Sequence, residues 1–123
     1  MMHRRSAIIL FVLLTGCAAQ TLQAASRETF AQETTCPPER VSVVARPDIA
    51  KPPAPEPPND VAADPGRLAY WRKQHAAELS EAANAEVFEL AGCGQKRITS
   101  CTWSTTWVGE NPVNYATCTP IKE

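Results

Sequence analysis

Four of the five cysteines in this chain of 123 residues, Cys36, Cys93, Cys101 and Cys118, lie in its later part, so the fold of that part has to place them. A domain of this size has a marginal hydrophobic core, so covalent cross-links would add much of its stability. Four cysteines can pair in three ways, and their spacing alone does not decide among the three. We favour Cys36–Cys93, which would hold a proline-rich segment onto a sheet, with Cys101–Cys118, which would join the two strands of a hairpin.

The beginning of the chain has the pattern of an export signal. Arg4 and Arg5 precede eight consecutive apolar residues, from Ala7 to Leu14. As a helix this run would extend roughly 12 Å, which is too short to cross a bilayer but typical of a removable signal peptide. Export leads to an oxidising compartment, so disulfides are the expected state of the four later cysteines.

The apolar run ends in Leu14-Thr15-Gly16-Cys17, which resembles the lipobox of bacterial lipoprotein precursors. The resemblance implies cleavage before Cys17, a diacylglyceryl thioether on its sulfur and acylation of its new amino group. Several acyl chains anchor a protein stably where one would be marginal. Ala18 stands where inner-membrane lipoproteins of this family carry Asp, which implies an outer-membrane address, facing the periplasm or the surface. The alternative is cleavage at Cys17-Ala18-Ala19, which would release a soluble secreted protein.

Composition divides the chain into three parts. Residues 1–16 form the predicted signal peptide. Residues 17–35 contain the predicted lipidated Cys17 and a small, polar stretch whose only aromatic residue is Phe30; we expect a flexible tether there, because such a stretch can bury little surface. Residues 36–123 form the predicted folded domain, including a proline-rich loop over residues 47–63. Within that loop, residues 51–58 are expected to be polyproline II or an irregular surface loop.

The folded part is predicted to contain one helix and about four strands. Asp64-Pro65 is a strong helix start, and from there to Asn84 apolar side chains recur at helical spacing. This stripe consists of Leu68, Trp71, His75, Leu79 and Ala82. The β-branched and aromatic runs predict strands over residues 40–46, 86–90, 97–108 and 113–118.

Alternation within these strands places Val41 and Val43 on one face of the first, and it predicts that Phe88 and Leu90 of the second point inward. The order of elements favours an α+β fold in which one helix packs on a small, mainly antiparallel sheet stapled by disulfides.

The sequence contains no arrangement typical of an active site, and we expect no enzyme activity, metal or cofactor. His75 is the only histidine after the signal, and neither Cys-x-x-Cys nor Gly-x-Ser-x-Gly occurs. Glu86 and Glu89 are three apart on a predicted strand, which places them on opposite faces. A net charge of −1 gives no basic patch for nucleic acid.

Trp103 and Trp107 are the candidate binding residues. Because they are four apart on one predicted strand, both point to the same face. Exposed, they would form an aromatic surface for a glycan or a protein partner. Buried, they would face Leu68, Trp71 and Leu79 in the core, which is the alternative that we favour.

A second resemblance covers much of the folded part. Its segments are Cys36-Pro37, Arg46-Pro47-Asp48, the run from Asp64 to Trp71, and Phe88 through Gly92-Cys93-Gly94 to Cys101. They resemble uncharacterised small bacterial envelope lipoproteins, a group that brings no known activity or ligand. The prediction is therefore a non-enzymatic, lipid-anchored structural or protein-binding element whose contacts are the membrane and another envelope protein. The alternative is a module that binds a glycan or small ligand.

Overall fold

The computed structural model describes residues 20–121. They form a four-stranded antiparallel sheet in the order β1-β2-β3-β4, with helices on both faces. The strands are β1 Ser42–Ala45, β2 Glu86–Gly92, β3 Gln95–Val108 and β4 Asn111–Pro120. The helices are α1 Leu22–Thr34, α2 Asn59–Ala62, α3 Pro65–Gln74 and α4 Ala76–Asn84, with a 3-10 turn at Pro38–Arg40. The α+β class predicted from the sequence is confirmed.

The expected tether is wrong over most of its length, because α1 is the helix that packs on the sheet. The Thr21 hydroxyl caps it by accepting from the Ala24 N–H at 3.0 Å. Leu22, Ala25 and Phe30 lie on one helical face and are buried. Small residues on this face let the helix backbone approach the sheet closely, so a segment with few large apolar side chains still buries a face. Residues 17–19 lie outside the described part of the chain.

The helix predicted for residues 64–84 is present, but it bends and does not form the core. Asp64 caps α3 through the N–H groups of Gly66 and Arg67, as its position before Pro65 predicts. At His75 the backbone leaves helical geometry, with φ −103° and ψ 15°, and α4 begins at the next residue. Neither helix contains a fully buried residue. The expected packing of Leu68, Trp71 and Leu79 as the core is therefore wrong.

The core lies between α1 and one face of the sheet. The inward residues predicted for the second strand are confirmed: Phe88 and Leu90 are 3% and 0% exposed. Val41 and the half-buried Val43, which were predicted to share one face, both pack in this core. Cys101 from β3 completes the centre of the core, also at 0% exposure. Because side chains alternate along a strand, Ser100 and Thr102 point to the opposite face, where α4 and the proline-rich segment lie.

Both favoured disulfides are present. Cys36–Cys93 joins the end of α1 to the turn between β2 and β3, with a Cα–Cα distance of 5.9 Å. Cys101–Cys118 joins directly opposite residues of β3 and β4, 4.1 Å apart. The first bond therefore holds the end of α1 against the sheet. The second cross-links β3 and β4 at the last position where β3 still pairs with β2.

Candidate functional site

The most distinctive surface is a two-stranded arm at one end of the sheet. Strand β2 pairs with β3 only as far as Glu86 opposite Cys101. Beyond that point β3 continues to Val108 and pairs with β4 alone. Residues 102–108 and 111–117 therefore form a hairpin that extends past the end of β2, and we call it the arm. An isolated two-stranded hairpin is marginally stable in water, so the base of the arm needs support.

Asn84 and the second disulfide supply that support. The Trp103 N–H points toward the position that β2 would occupy, and it donates to Asn84 Oδ1 at 2.9 Å. The Thr102 hydroxyl lies 2.5 Å from the same oxygen and 2.6 Å from the Glu81 carbonyl oxygen. The end of α4 therefore takes the place of a missing strand. Cys101–Cys118 adds a covalent cross-link one residue below.

The arm ends in a group of exposed apolar side chains. The arm end consists of Trp107 (67% exposed), Val108 (64%), Val113 (42%) and Tyr115 (46%). Trp107 lies on the α1 side of the sheet, and the other three lie on the opposite side, as strand alternation requires. Between Ser104 and Cys118 the only charged residue is Glu110. The arm end is therefore mostly apolar, with a single charge in its closing turn, and other apolar groups could cover it.

A tight turn closes the arm. Gly109 has a φ of +63°, and it is the first central residue of a two-residue connection between Val108 and Asn111. A type II′ turn needs positive φ at this position, which glycine adopts at no steric cost, and its twist matches that of the strands. The short turn leaves Val108 and Trp107 at the end of the arm.

The structure separates the two candidate tryptophans. Trp103 is half-buried and packs against the core beside α1, whereas Trp107 is exposed. They share one face of β3, as predicted, but they do not form a surface of two fully exposed rings. The expected contact with Leu68, Trp71 and Leu79 is wrong for both, because α4 lies on the other face of the sheet. Sequence reasoning missed Val108, Val113 and Tyr115 as exposed neighbours of Trp107.

A groove lies on the sheet face opposite α1. Its floor is made of hydroxyl side chains on β3 and β4, and its walls are the proline-rich segment and α4. The volume is about 650 Å³. The floor residues are Ser100, Thr102, Thr117 and Thr119. Lys51 borders the groove and donates to the Ala83 carbonyl oxygen at 3.3 Å. The groove lining contains no histidine, and its carboxyl groups are those of Glu78 and Glu81 on α4.

An ion-pair network joins the first three strands on this second face. The Glu89 carboxylate accepts from Lys96 Nζ at 2.6 Å and from Arg46 Nη1 at 2.8 Å. Arg46 also binds Asp48 at 2.9 Å. Hydrogen bonds from Lys96 and then Arg46 lower the pKa of Glu89, and that from Arg46 lowers the pKa of Asp48. Bonds to Asp48 and then Glu89 raise the pKa of Arg46. Arg46, Asp48 and Glu89 are therefore all charged at neutral pH.

The remaining candidate, His75, is engaged in local structure. Its Nδ1 lies 2.9 Å from the Trp71 carbonyl oxygen, and its ring stacks on the Trp71 indole with centroids 4.3 Å apart. This contact stabilises the bend between α3 and α4. Within residues 20–121, no three side chains of the metal-binding types come together, and no helix of that region is long and apolar enough to span a bilayer.

The lipobox residue Cys17 and the predicted signal peptide lie outside the described residues. Comparison of the chain with protein-family models, with curated proteins and with solved structures found no match in any of the three.

Proposed function

We propose that this protein is a lipid-anchored lipoprotein of the bacterial outer membrane that acts by binding another envelope protein, without catalysing a reaction. In this proposal Cys17 carries the lipid and the arm end makes the contact. The observation that carries the binding role is the exposure of Trp107 at the end of an arm that extends beyond the rest of the sheet.

The chemistry of the arm end supports a protein partner. Single exposed apolar residues are normal on a protein surface, but here four lie at the end of one hairpin. Val108, Val113 and Tyr115 share one face of the arm, and Trp107 lies on the other. Tryptophan and tyrosine supply the largest contributions at protein interfaces, because they bury much area with few rotatable bonds. The disulfide and Asn84 at the base hold the arm in one conformation, which lowers the entropy cost of binding.

Site-specific photocrosslinking in intact cells tests the binding role. A benzophenone amino acid replaces Trp107 in one strain and Tyr70 in another; Tyr70 is also an exposed aromatic residue, at 64%, but it lies on α3. We expect a discrete crosslinked product from position 107 and none from position 70. Equal products from both positions, or none from either, would contradict a partner bound at the arm end.

The anchor is tested separately with Cys17→Ser. Cells labelled with a radioactive fatty acid should label the wild-type protein and not the variant. Label that persists in the variant would exclude lipidation at Cys17. A wild-type protein that carries no label and begins after Cys17 would instead support the secreted soluble form.

A glycan or small molecule is the second candidate ligand, and the exposed ring of Trp107 favours it specifically, since sugar rings stack on aromatic faces. Cell-wall glycan fragments added to the purified protein should then change its tryptophan fluorescence. The same titration of Trp107→Phe should show a weaker response or none. An unchanged response in the variant would place the binding away from the arm end.

A further inference from the structure

Within residues 20–121, strand β4 is a long edge strand with no further strand paired to its outer side. One hydrogen bond shows which of its backbone groups bond to β3. The Ile121 N–H donates to the Ile98 carbonyl oxygen at 2.8 Å, immediately beyond the pair Thr99–Pro120. In an antiparallel ladder, hydrogen-bonded pairs alternate with non-bonded pairs. Residues 111, 113, 115, 117 and 119 therefore bond to β3. The backbone groups of residues 112, 114, 116, 118 and 120 point away from it.

The outward-facing groups form a symmetric pattern centred on Ala116. Asn114, Ala116 and Cys118 each present an N–H and a carbonyl oxygen to the outside. Pro112 and Pro120, four residues before and after Ala116, present a carbonyl oxygen and no N–H. The edge therefore has the same order of groups when it is read in either direction. A proline comes first, three residues that each offer an N–H and a carbonyl oxygen follow, and a second proline ends the edge. Within residues 20–121, no other backbone hydrogen bond reaches these three N–H groups.

We propose that two copies of this chain pair through β4 about a twofold axis at Ala116, joining their sheets into one. In this register Ala116 faces its own copy, and Asn114 faces Cys118 of the second copy. About six intermolecular backbone hydrogen bonds form, and they use every outward N–H between the prolines. Each proline faces a proline, so no donor is left unpaired. A twofold interface requires such a self-complementary surface.

The side chains and charges of β4 agree with a second copy as the partner. No charged residue lies between Asn111 and Pro120, although charged side chains are a common device that keeps free edges apart. On the face opposite α1, Tyr115 would lie beside Thr117 of the second copy, and Val113 beside Thr119. The exposed side chains of Tyr115 and Val113 would thereby gain cross-strand contacts.

Ala116→Pro tests the pairing without breaking the sheet. Ala116 does not bond to β3, so the substitution removes only an outward donor and places a ring where the second strand would bind. Ala45→Pro is the matched control. The Arg46 N–H donates to Val87, so the N–H of Ala45 likewise points away from the sheet, but on the short edge β1. We expect native mass spectrometry of the detergent-solubilised full protein to show dimers for wild type and Ala45→Pro, and a dimer fraction lower by about tenfold or more for Ala116→Pro.

Amide exchange of the wild-type protein provides a readout that needs no variant. In a monomer, the N–H groups of Asn114, Ala116 and Cys118 exchange fast while those of Tyr115 and Thr117 exchange slowly. Raising the protein concentration should protect the three fast amides and change their neighbours little. A wild type that stays monomeric with these three amides fast, or an Ala116→Pro protein that remains dimeric, would overturn the proposal.

Discussion

At the scale of single residues, Gly92 shows how closely the segments of the core approach one another. A Cβ at this position would lie 2.9 Å from the Arg40 carbonyl oxygen and 3.3 Å from Cys36 Sγ. Both neighbours are held in place, one by the backbone and the other by the disulfide to Cys93. Glycine at the end of β2 therefore allows the segment before β1 to pack directly on the strand.

Gly92→Ala should destabilise the fold because the added methyl group has to displace backbone atoms. Overpacking of this kind costs about 1–3 kcal/mol, which urea unfolding would measure. Gly66→Ala is the control, since a Cβ there meets only Asp64 Oδ1 at 3.5 Å. In α3 this control should be neutral or stabilising, by about 0.5–1 kcal/mol. Equal effects of the two substitutions would show that the close approach at Gly92 does not matter.

At the scale of elements, the strands were predictable and the main helix was not. Alternation identified Phe88 and Leu90 correctly, because a half-buried strand shows its period of two directly in the sequence. The buried face of α1 uses Ala25, Ser26 and Ala31 between Leu22 and Phe30. Such small residues carry little hydrophobic signal, although they pack well against a sheet. Conversely, α3 and α4 have a clear helical pattern but lie outside the core.

The extent of the arm could not be predicted either, since it depends on where β2 ends. Trp103 and Trp107 have the same residue type and the same strand face, and nothing local distinguishes them. Both lie beyond the end of β2, but Trp103 is close to the last β2–β3 pair and packs against the core, whereas Trp107 lies farther along the arm. The pairing of Cys101 with Cys118 was easier to predict from the sequence, because a hairpin brings its two strands together whatever its exact register.

The ion-pair network around Glu89, which links three strands, makes the stability of the fold depend on pH. Its pKa is lowered in the folded state, so its stabilising effect is complete above the unfolded-state value and is lost as the pH falls through the folded-state value. Glu89→Gln should therefore destabilise the protein at pH 7, while the difference from wild type shrinks at pH 3. Urea midpoints at the two pH values measure this.

Glu86→Gln is the matched control for this network, because Glu86 lies on the same strand but is exposed and makes no ion pair in the described residues. Its unfolding midpoint should follow that of the wild type at both pH values. Asp48 remains paired with Arg46 in Glu89→Gln, so a smaller acid dependence should persist in that variant. A difference from wild type that is the same at pH 7 and pH 3 would show that the charge of Glu89 is not responsible.

At the scale of the whole molecule, the two disulfides stabilise different regions. One cross-links the body, by which we mean the described residues outside the arm, and the other cross-links the base of the arm. Cys36–Cys93 closes a loop of 57 residues around the core, and Cys101–Cys118 closes one of 17 at the base of the arm. Loop entropy assigns about 4 kcal/mol to the first and about 3 kcal/mol to the second. Their energies are similar, but the regions that they hold in place differ.

Replacing each pair in turn should separate these regions. Cys101→Ala with Cys118→Ala should lower the free energy of unfolding by about 3 kcal/mol and speed amide exchange in residues 102–117, since Asn84 would then hold the arm base without a covalent cross-link. Cys36→Ala with Cys93→Ala should instead loosen α1 and β1, with less effect on the arm. Hydrogen exchange resolved by segment measures both. If the two double variants loosened the same residues, the arm and the body would unfold as one unit, and a preorganised arm end would no longer explain partner binding.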